Sequence, residues 1–132
     1  MTQDKRLLIS LLFIIGIVIL GTMALMQSLE GNRRTLTEMP IEEVDISQIP
    51  YGTYFGRYQM FPVSVQVELD IREHIITRII LVEHSNGKGG KAEVIPSAVV
   101  KRQSLQVDSV SGATYSSRVI LKAIEDALIN AQ

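Results

Sequence analysis

The sequence contains no cysteine among its 132 residues, and this absence removes several classes of site at once. Disulfide bonds, thiolate metal centres, haem attachment through cysteine and lipoprotein acylation are all excluded. Histidine is scarce as well, since the chain has only His74 and His84, ten residues apart. This scarcity argues against a multi-histidine metal site, and we predict no metal in this chain.

A strong excess of charge of either sign is also missing. Thirteen basic and 14 acidic residues give a formal net charge of −1, and no basic patch is interleaved with aromatic side chains. The chain therefore predicts no nucleic-acid partner. It also lacks a Ser/His/Asp set or a paired acid and base, so we assign no catalytic residue. The length allows one small domain and an appendage.

An uncharged apolar run from Leu7 to Met26 follows Lys5 and Arg6. About 20 residues form a helix of roughly 30 Å, which is enough to cross a bilayer. A cleaved signal peptide is the alternative, but its apolar region is usually about 7–15 residues long, and no clear small-x-small cleavage site follows. We favour an uncleaved signal anchor, with residues 1–28 forming a cytoplasmic tip and a single span. The basic residues flanking the run are too evenly divided to decide its orientation.

Residues 29–50 read as a linker, because they are rich in acidic residues and contain Pro40 and Pro50 as breakers. Four apolar residues within this stretch predict that part of it packs on the domain: Ile41, Val44, Ile46 and Ile49. The domain itself is expected to cover residues 51–132.

Three consecutive segments of this domain have the pattern of β-strands. Residues 51–58 are aromatic and punctuated by glycine, residues 63–70 alternate strictly between apolar and polar, and residues 75–83 are rich in β-branched side chains. Short connections between them predict an antiparallel meander. A helix over 91–104, a short strand over 105–107 and an amphipathic helix over 115–130 complete the prediction. The predicted fold class is α+β, with a transmembrane helix followed by a small antiparallel sheet and helices.

The stretch from Asp108 to Ser117 contains four small residues in succession, Ser111 to Thr114, immediately before the last helix. Gly112 tolerates a positive φ, and Thr114 and the two serines after it are candidate N-caps. The unpaired N–H groups and partial positive charge of a helix N-terminus suit a phosphate. The alternative is an ordinary capped helix start preceded by a tight turn.

The run Asp-x-x-Ser-Gly-Ala-Thr resembles the flavinylation signature of the FMN-binding domain family, which includes FMN-carrying subunits of the sodium-pumping NADH:quinone oxidoreductase. The resemblance covers about residues 51–130, with weaker matches at Gly52-Thr53-Tyr54 and in the next two strands. It implies that a flavin transferase esterifies FMN onto Thr114. It further implies a cytoplasmic N-terminus and a domain outside the membrane. One departure is the segment from His84 to Gly90, where longer members carry a Glu-Thr-Pro-Gly-type loop.

The candidate cofactor-binding residues follow from this resemblance and from the helix start. Thr114 is the expected attachment point, and Asp108 is expected to anchor the loop through backbone N–H groups. His84 is a candidate to border the flavin ring, but a solvated loop histidine is the alternative that the sequence favours. The residues expected around the phosphate are Ser111, Gly112, Ala113, Tyr115, Ser116 and Ser117. Lys88 or Lys91 near the ring would raise its potential, and Tyr54 and Tyr58 are expected in the core or on the sheet rather than stacked on flavin.

The resulting prediction is a single-pass membrane flavoprotein that carries electrons outside the cytoplasm, rather than a stand-alone enzyme. Its expected partners are the membrane, a flavin transferase, a membrane electron donor and an extracytoplasmic acceptor. Two alternatives stay open at this point. One is a noncovalent FMN-binding sensor or chaperone module, and the other is a flavin-free envelope interaction domain.

Overall fold

A computed structural model describes residues 3–85 and 89–132 of the chain. The chain divides into two compact units, Met1–Asn32 and Arg33–Gln132. Helix α1 spans Gln3–Glu38, and its apolar side chains from Leu7 to Met26 are exposed, whereas Leu36 near its end is buried. Within the described residues it is the one helix long and apolar enough to cross a membrane, a property that N-terminal signal sequences share. The predicted helix is therefore present, and its composition is compatible with membrane anchoring. It differs from the prediction in its length, since it continues to Glu38, ten residues into the stretch expected to be a linker.

The second unit is built on a three-stranded antiparallel sheet in the order β1-β2-β3. The strands are β1 (Gly52–Met60), β2 (Val63–Arg72) and β3 (Ile75–Ser85), as the meander prediction required. Strand β2 lies in the centre, and its side chains alternate between fully buried and half-buried. The buried members are Val63, Val65, Val67, Leu69 and Ile71. This alternation arises because only one face of the sheet is covered.

Helix α3 (Thr114–Ile129) covers that inner face. It runs antiparallel to β1, because Tyr115 at its start meets Met60 and Ala123 further on meets Gly56. Its apolar stripe is almost entirely buried, including Ile120 and Ile124. The helix lies so close to β1 that a Cβ atom at Gly56 would be 2.1 Å from the backbone oxygen of Ala123. It would also be 2.4 Å from the backbone nitrogen of Ala127. Position 56 therefore requires glycine because a helix backbone occupies the space of a side chain.

The segment between the strands and α3 differs from its prediction. A 3₁₀ helix spans Gly90–Val94 and leads into α2 (Ile95–Arg102), which ends at Gln103 in the left-handed region with φ 54°. The side-chain amide of Gln103 donates to the Ile76 backbone oxygen and accepts from the Ile76 backbone nitrogen, both at 2.8 Å. This amide pairs with the outer edge of β3 as a neighbouring strand would, and residues 105–107 form no strand.

The chain preceding the sheet is fastened to α3 by charged side chains that bond to its backbone. Arg118 donates to the carbonyl oxygens of Leu36, at 2.7 Å, and Met39, while Lys122 lies 3.4 Å from the Pro40 oxygen. The backbone nitrogen of Glu42 donates to Glu125 at 2.7 Å. We call residues 36–43 the docking segment. Leu36 and, further along the chain, Val44 and Ile49 belong to the buried core. The prediction that part of the stretch before the sheet packs on the domain is therefore confirmed.

Substitution of Gly56 tests the close packing of α3 on β1. We expect Gly56→Ala to lower the free energy of unfolding by about 3 kcal/mol or more, because helix backbone cannot move aside as a flexible side chain can. The measurement is urea unfolding of the full chain in detergent micelles, followed by far-ultraviolet circular dichroism. Gly90→Ala is the control, since a Cβ there meets nothing within 4 Å, and it should change stability by less than about 0.5 kcal/mol. Equal stability of the two variants would contradict the packing.

Candidate functional site

The signature loop ends in a helix start that carries no side-chain cap. Thr114 is the first helical residue, and Ala113 occupies the capping position without a side-chain hydrogen bond. The first backbone bond of the helix runs from the Ser117 nitrogen to the Ala113 oxygen at 2.9 Å. No described residue accepts a hydrogen bond from the backbone nitrogens of Thr114, Tyr115 or Ser116. The prediction that Thr114, Ser116 or Ser117 caps this helix is therefore wrong.

Ser117 holds the loop in place instead. Its hydroxyl accepts from the Val110 backbone nitrogen at 3.0 Å and donates to the Ala113 oxygen at 2.8 Å, and the residue is fully buried. Asp108 is exposed, and its carboxylate forms no hydrogen bond with the residues that the structure describes. The anchoring contact expected of Asp108 is therefore not formed. Because the hydroxyl of Ser117 has both partners within the loop, this residue shapes the site without facing it.

Gly112 adopts φ +78°, and a Cβ atom there would meet nothing within 4 Å. The expected positive φ is thus present, and its constraint is conformational rather than steric. The space around the loop is open: Ser111, Gly112 and Thr114 are exposed. Ala113 and Ser116 are buried beneath them, with Ser116 only 2% exposed. The loop therefore presents the Thr114 hydroxyl and three backbone N–H groups in one place.

Tyr115 joins this loop to the turn between β1 and β2. Its hydroxyl donates to the Phe61 carbonyl oxygen at 2.9 Å and lies 3.3 Å from the Met60 carbonyl oxygen. Burial raises the pKa of the Tyr115 hydroxyl above its usual value, so the group remains protonated and able to donate at physiological pH. The start of α3 and the β1–β2 turn are thus held together at one end of the sheet, which we call the signature end.

His84 lies at the same end, because Val65 pairs with His84 and Ser64 pairs with Ser85 in the sheet register. Its side chain is only 4% exposed, and Nδ1 lies 3.1 Å from a carboxylate oxygen of Glu93. The alternative of a solvated loop histidine is therefore wrong. The segment that follows includes Lys88, whose expected role lies outside the described residues.

Three other side chains were considered as contacts of the flavin ring, and the structure shows what surrounds each of them. The hydroxyl of Tyr54 donates to the Pro50 oxygen at 3.0 Å, and that of Tyr58 lies 3.3 Å from the sulfur of Met39. Both tyrosines pack against the core, which agrees with the interpretation preferred from sequence. Lys91 is exposed on the 3₁₀ helix. Tyr58 pairs with Val65, as His84 does, so it lies at the signature end although it packs against the core.

Sequence reasoning missed two exposed apolar residues at the signature end. Phe61 in the β1–β2 turn is 57% exposed, and Val94, next to Glu93, is 58% exposed. The available signal was an aromatic residue followed by Pro62 between two strands. That pattern marks a turn but does not say which other elements lie beside it. Only the bond from Tyr115 reveals that this turn adjoins the loop.

The arrangement can accept a phosphorylated aromatic ligand. Three backbone N–H groups at a helix N-terminus favour an anion, and the Thr114 hydroxyl can form an ester. An apolar surface lies nearby for a ring. No group of three or more metal-ligating side chains occurs within residues 3–85 and 89–132. The residues present therefore suit the phosphate and the ring of a flavin nucleotide.

The sequence profile of the FMN-binding domain family matches residues 61–129, which is more than half of the chain. The chain belongs to this family, and the resemblance identified from the signature is confirmed. FMN is accordingly its cofactor. No curated protein matches the chain. The matched region begins at Phe61 and includes β2, β3, α2 and α3, so it contains Phe61, His84 and the whole signature loop.

Substitution of Gly112 tests whether the loop requires the positive φ of this residue rather than the absence of a side chain. We expect Gly112→Val to reduce the fraction of chains that carry flavin, because a β-branched residue at positive φ costs about 1–2 kcal/mol. Gly112→Asn should keep most of the loading, since asparagine tolerates this region and the surroundings are open. Flavin content is read from absorbance per mole of purified protein. Full loading of the valine variant would show that the positive φ is not required.

Proposed function

We propose that this FMN-binding domain carries its cofactor covalently, as a phosphoester at Thr114, and transfers electrons outside the cytoplasm while α1 anchors it to the membrane. The observation that carries the proposal is the exposed Thr114 hydroxyl at an uncapped helix N-terminus, in a sequence that resembles a flavinylation signature. The family match supports FMN as the ligand. The apolar helix supports the anchor.

Attachment would form a phosphoester bond at the Thr114 oxygen and break a phosphoanhydride bond of the flavin donor. A flavin transferase would supply FMN as an activated phosphoanhydride, and the Thr114 oxygen would attack its phosphorus. The leaving phosphate would depart while the hydroxyl proton passes to a base of the transferase. The loop favours this step because Gly112 and Ala113 leave the approach to Thr114 unobstructed, and Ser117 keeps the backbone in one conformation.

After attachment, the chain's own groups would position the cofactor. The backbone N–H groups of Thr114, Tyr115 and Ser116 face a phosphodiester that retains one negative charge. The helix N-terminus stabilises such a charge by roughly 0.3–1 kcal/mol at exposed sites. The flavin ring supplies reversible uptake of one or two electrons, and the protein holds it and tunes it. The expected partners are a membrane electron donor, an extracytoplasmic acceptor and the transferase itself.

Removal of the Thr114 hydroxyl tests the ester directly. We expect Thr114→Ala to lose all covalent flavin after co-expression with a flavin transferase, while Thr114→Ser keeps part of it because a hydroxyl remains. Stability should change by less than about 0.5 kcal/mol, since the Thr114 side chain is exposed and does not cap the helix. Intact mass and in-gel flavin fluorescence after denaturation provide the measurement.

Ser111→Ala is the matched control, because it removes another exposed hydroxyl from the same loop and should load as the wild type does. Flavin retained through denaturation by Thr114→Ala would place the ester elsewhere. A wild-type chain that is yellow when folded, yet colourless after denaturation, would make the noncovalent FMN module the better description. A wild-type chain without flavin under any condition would leave only the flavin-free interaction domain.

Single cysteines test the proposed side of the membrane, because the natural chain contains none. Lys101→Cys places a thiol on an exposed position of α2, and Gln3→Cys places one at the start of α1. In intact cells, an impermeant maleimide should label position 101 and not position 3. Both should react after lysis. The reverse pattern in intact cells would place the domain in the cytoplasm and remove the proposed electron export.

A further inference from the structure

We propose that the ring of Phe61 is the platform on which the isoalloxazine of FMN lies, and that Tyr115 is the residue that positions it. This inference rests on the proposed function, because it assumes that the phosphate is held at the start of α3. It adds a residue in the β1–β2 turn that the signature does not contain. The turn would bind one end of the cofactor and the loop the other.

The exposed aromatic rings of the domain lie at different places on the sheet. Three aromatic side chains among its described residues are largely exposed: Tyr51 at 65%, Phe55 at 54% and Phe61 at 57%. Tyr51 lies at the opposite end of the sheet, where its ring contacts His74 at 6.1 Å between centroids. Phe55 pairs with Glu68 in mid-strand, on the face away from α3. Phe61 alone of these three lies at the signature end.

A single side chain connects the loop before α3 to the β1–β2 turn. Tyr115 follows Thr114 directly, and its hydroxyl bonds to the carbonyl oxygen of Phe61 itself at 2.9 Å. The attachment point and the platform are therefore separated by one side chain and one hydrogen bond. FMN has the matching form, with a phosphate and an aromatic ring separated by a short ribityl chain. A ligand fixed at Thr114 can reach Phe61 without crossing the sheet.

The surface that Phe61 presents also suits a flavin ring. An exposed phenylalanine offers a flat apolar face and no hydrogen-bonding group, which suits stacking against a flavin ring rather than recognition of a sugar or phosphate. Stacking of the flavin ring on Phe61 would remove apolar area of both rings from water. Because burial raises the pKa of the Tyr115 hydroxyl, this group keeps the proton with which it donates to the turn backbone.

The test uses the full chain, loaded with FMN by co-expression with a flavin transferase and kept in detergent micelles. Phe61→Leu retains apolar volume but removes the flat ring, and Phe55→Leu is the matched control with nearly equal exposure in the same hairpin. Intact mass gives the loaded fraction of each variant, so that the flavin signal is compared per loaded chain. Flavin fluorescence anisotropy should fall in Phe61→Leu toward that of free FMN, while Phe55→Leu should match the wild type.

Tryptophan provides an independent probe, because the chain has none and indole quenches flavin emission on contact. Phe61→Trp should reduce flavin emission severalfold, and Phe55→Trp should leave it unchanged. Tyr115→Phe keeps the packed ring but removes the hydroxyl, so its flavin anisotropy should fall toward that of Phe61→Leu at temperatures far below unfolding. A purely structural role for Tyr115 would leave the anisotropy unchanged in the folded chain.

The outcomes separate this inference from the proposed function. Equal anisotropy in Phe61→Leu and Phe55→Leu, or equal emission in the two tryptophan variants, would overturn the platform even if Thr114 carries flavin. If the wild type carries no ester, the same four variants are titrated with free FMN. Affinity roughly two- to tenfold weaker in Phe61→Leu than in Phe55→Leu would then support the platform without the ester. Equal affinity, or no binding by any variant, would overturn it.

Discussion

The close approach of α3 to β1 at Gly56 is the constraint on which the rest of the domain depends. With the helix backbone in contact with the strand at Ala123 and Ala127, the helix cannot shift away from the sheet without opening the core. A rigid helix fixed at one end is fixed at the other. Tyr115 therefore reaches the β1–β2 turn, and the loop before Thr114 is held at the signature end of the sheet.

The same helix presents its charged residues to the chain that precedes the sheet. Glu125 is 2% exposed, and it pairs with Lys122 and accepts from the Glu42 backbone. A buried carboxylate requires such partners, because an unpaired one would cost several kcal/mol. Two faces of one helix thus have two tasks. The apolar face forms the core, and the polar face fastens the docking segment beside it.

Sequence patterns predicted the parts of the fold that depend on one-sided burial. The alternation in β2 and the apolar stripe of α3 arise directly from covering one face of a sheet, and both were correctly placed. The family was identified from the signature because that stretch is specific in itself. The apolar periodicity of α3, by contrast, does not indicate which residue occupies the N-cap position. Ala113 is the capping residue because Ser117 holds the loop through two bonds, which depend on the backbone path from Val110.

Long-range contacts explain why the sequence did not predict the roles of three other residues. Phe61 gained significance only through Tyr115, more than fifty positions away. Gln103 substitutes for a strand at the edge of β3 through its side-chain amide, a role that helix and strand propensities do not describe. His84 was expected in a flexible loop, yet β3 extends to Ser85, and a register shift beside Val67 precedes the pairing of His84 with Val65.

The docking segment is recognised mainly through atoms that every amino acid possesses. Arg118 and Lys122 bond to carbonyl oxygens, and Glu125 accepts from an amide nitrogen, so the identities of Met39, Pro40 and Glu42 matter little to these bonds. Side chains of the segment add further contacts: Leu36 is fully buried, the Met39 sulfur accepts from the Tyr58 hydroxyl, and the Glu43 carboxylate accepts from the Ser104 hydroxyl. Substitutions that preserve the backbone path and these few side chains therefore leave the segment bound to α3.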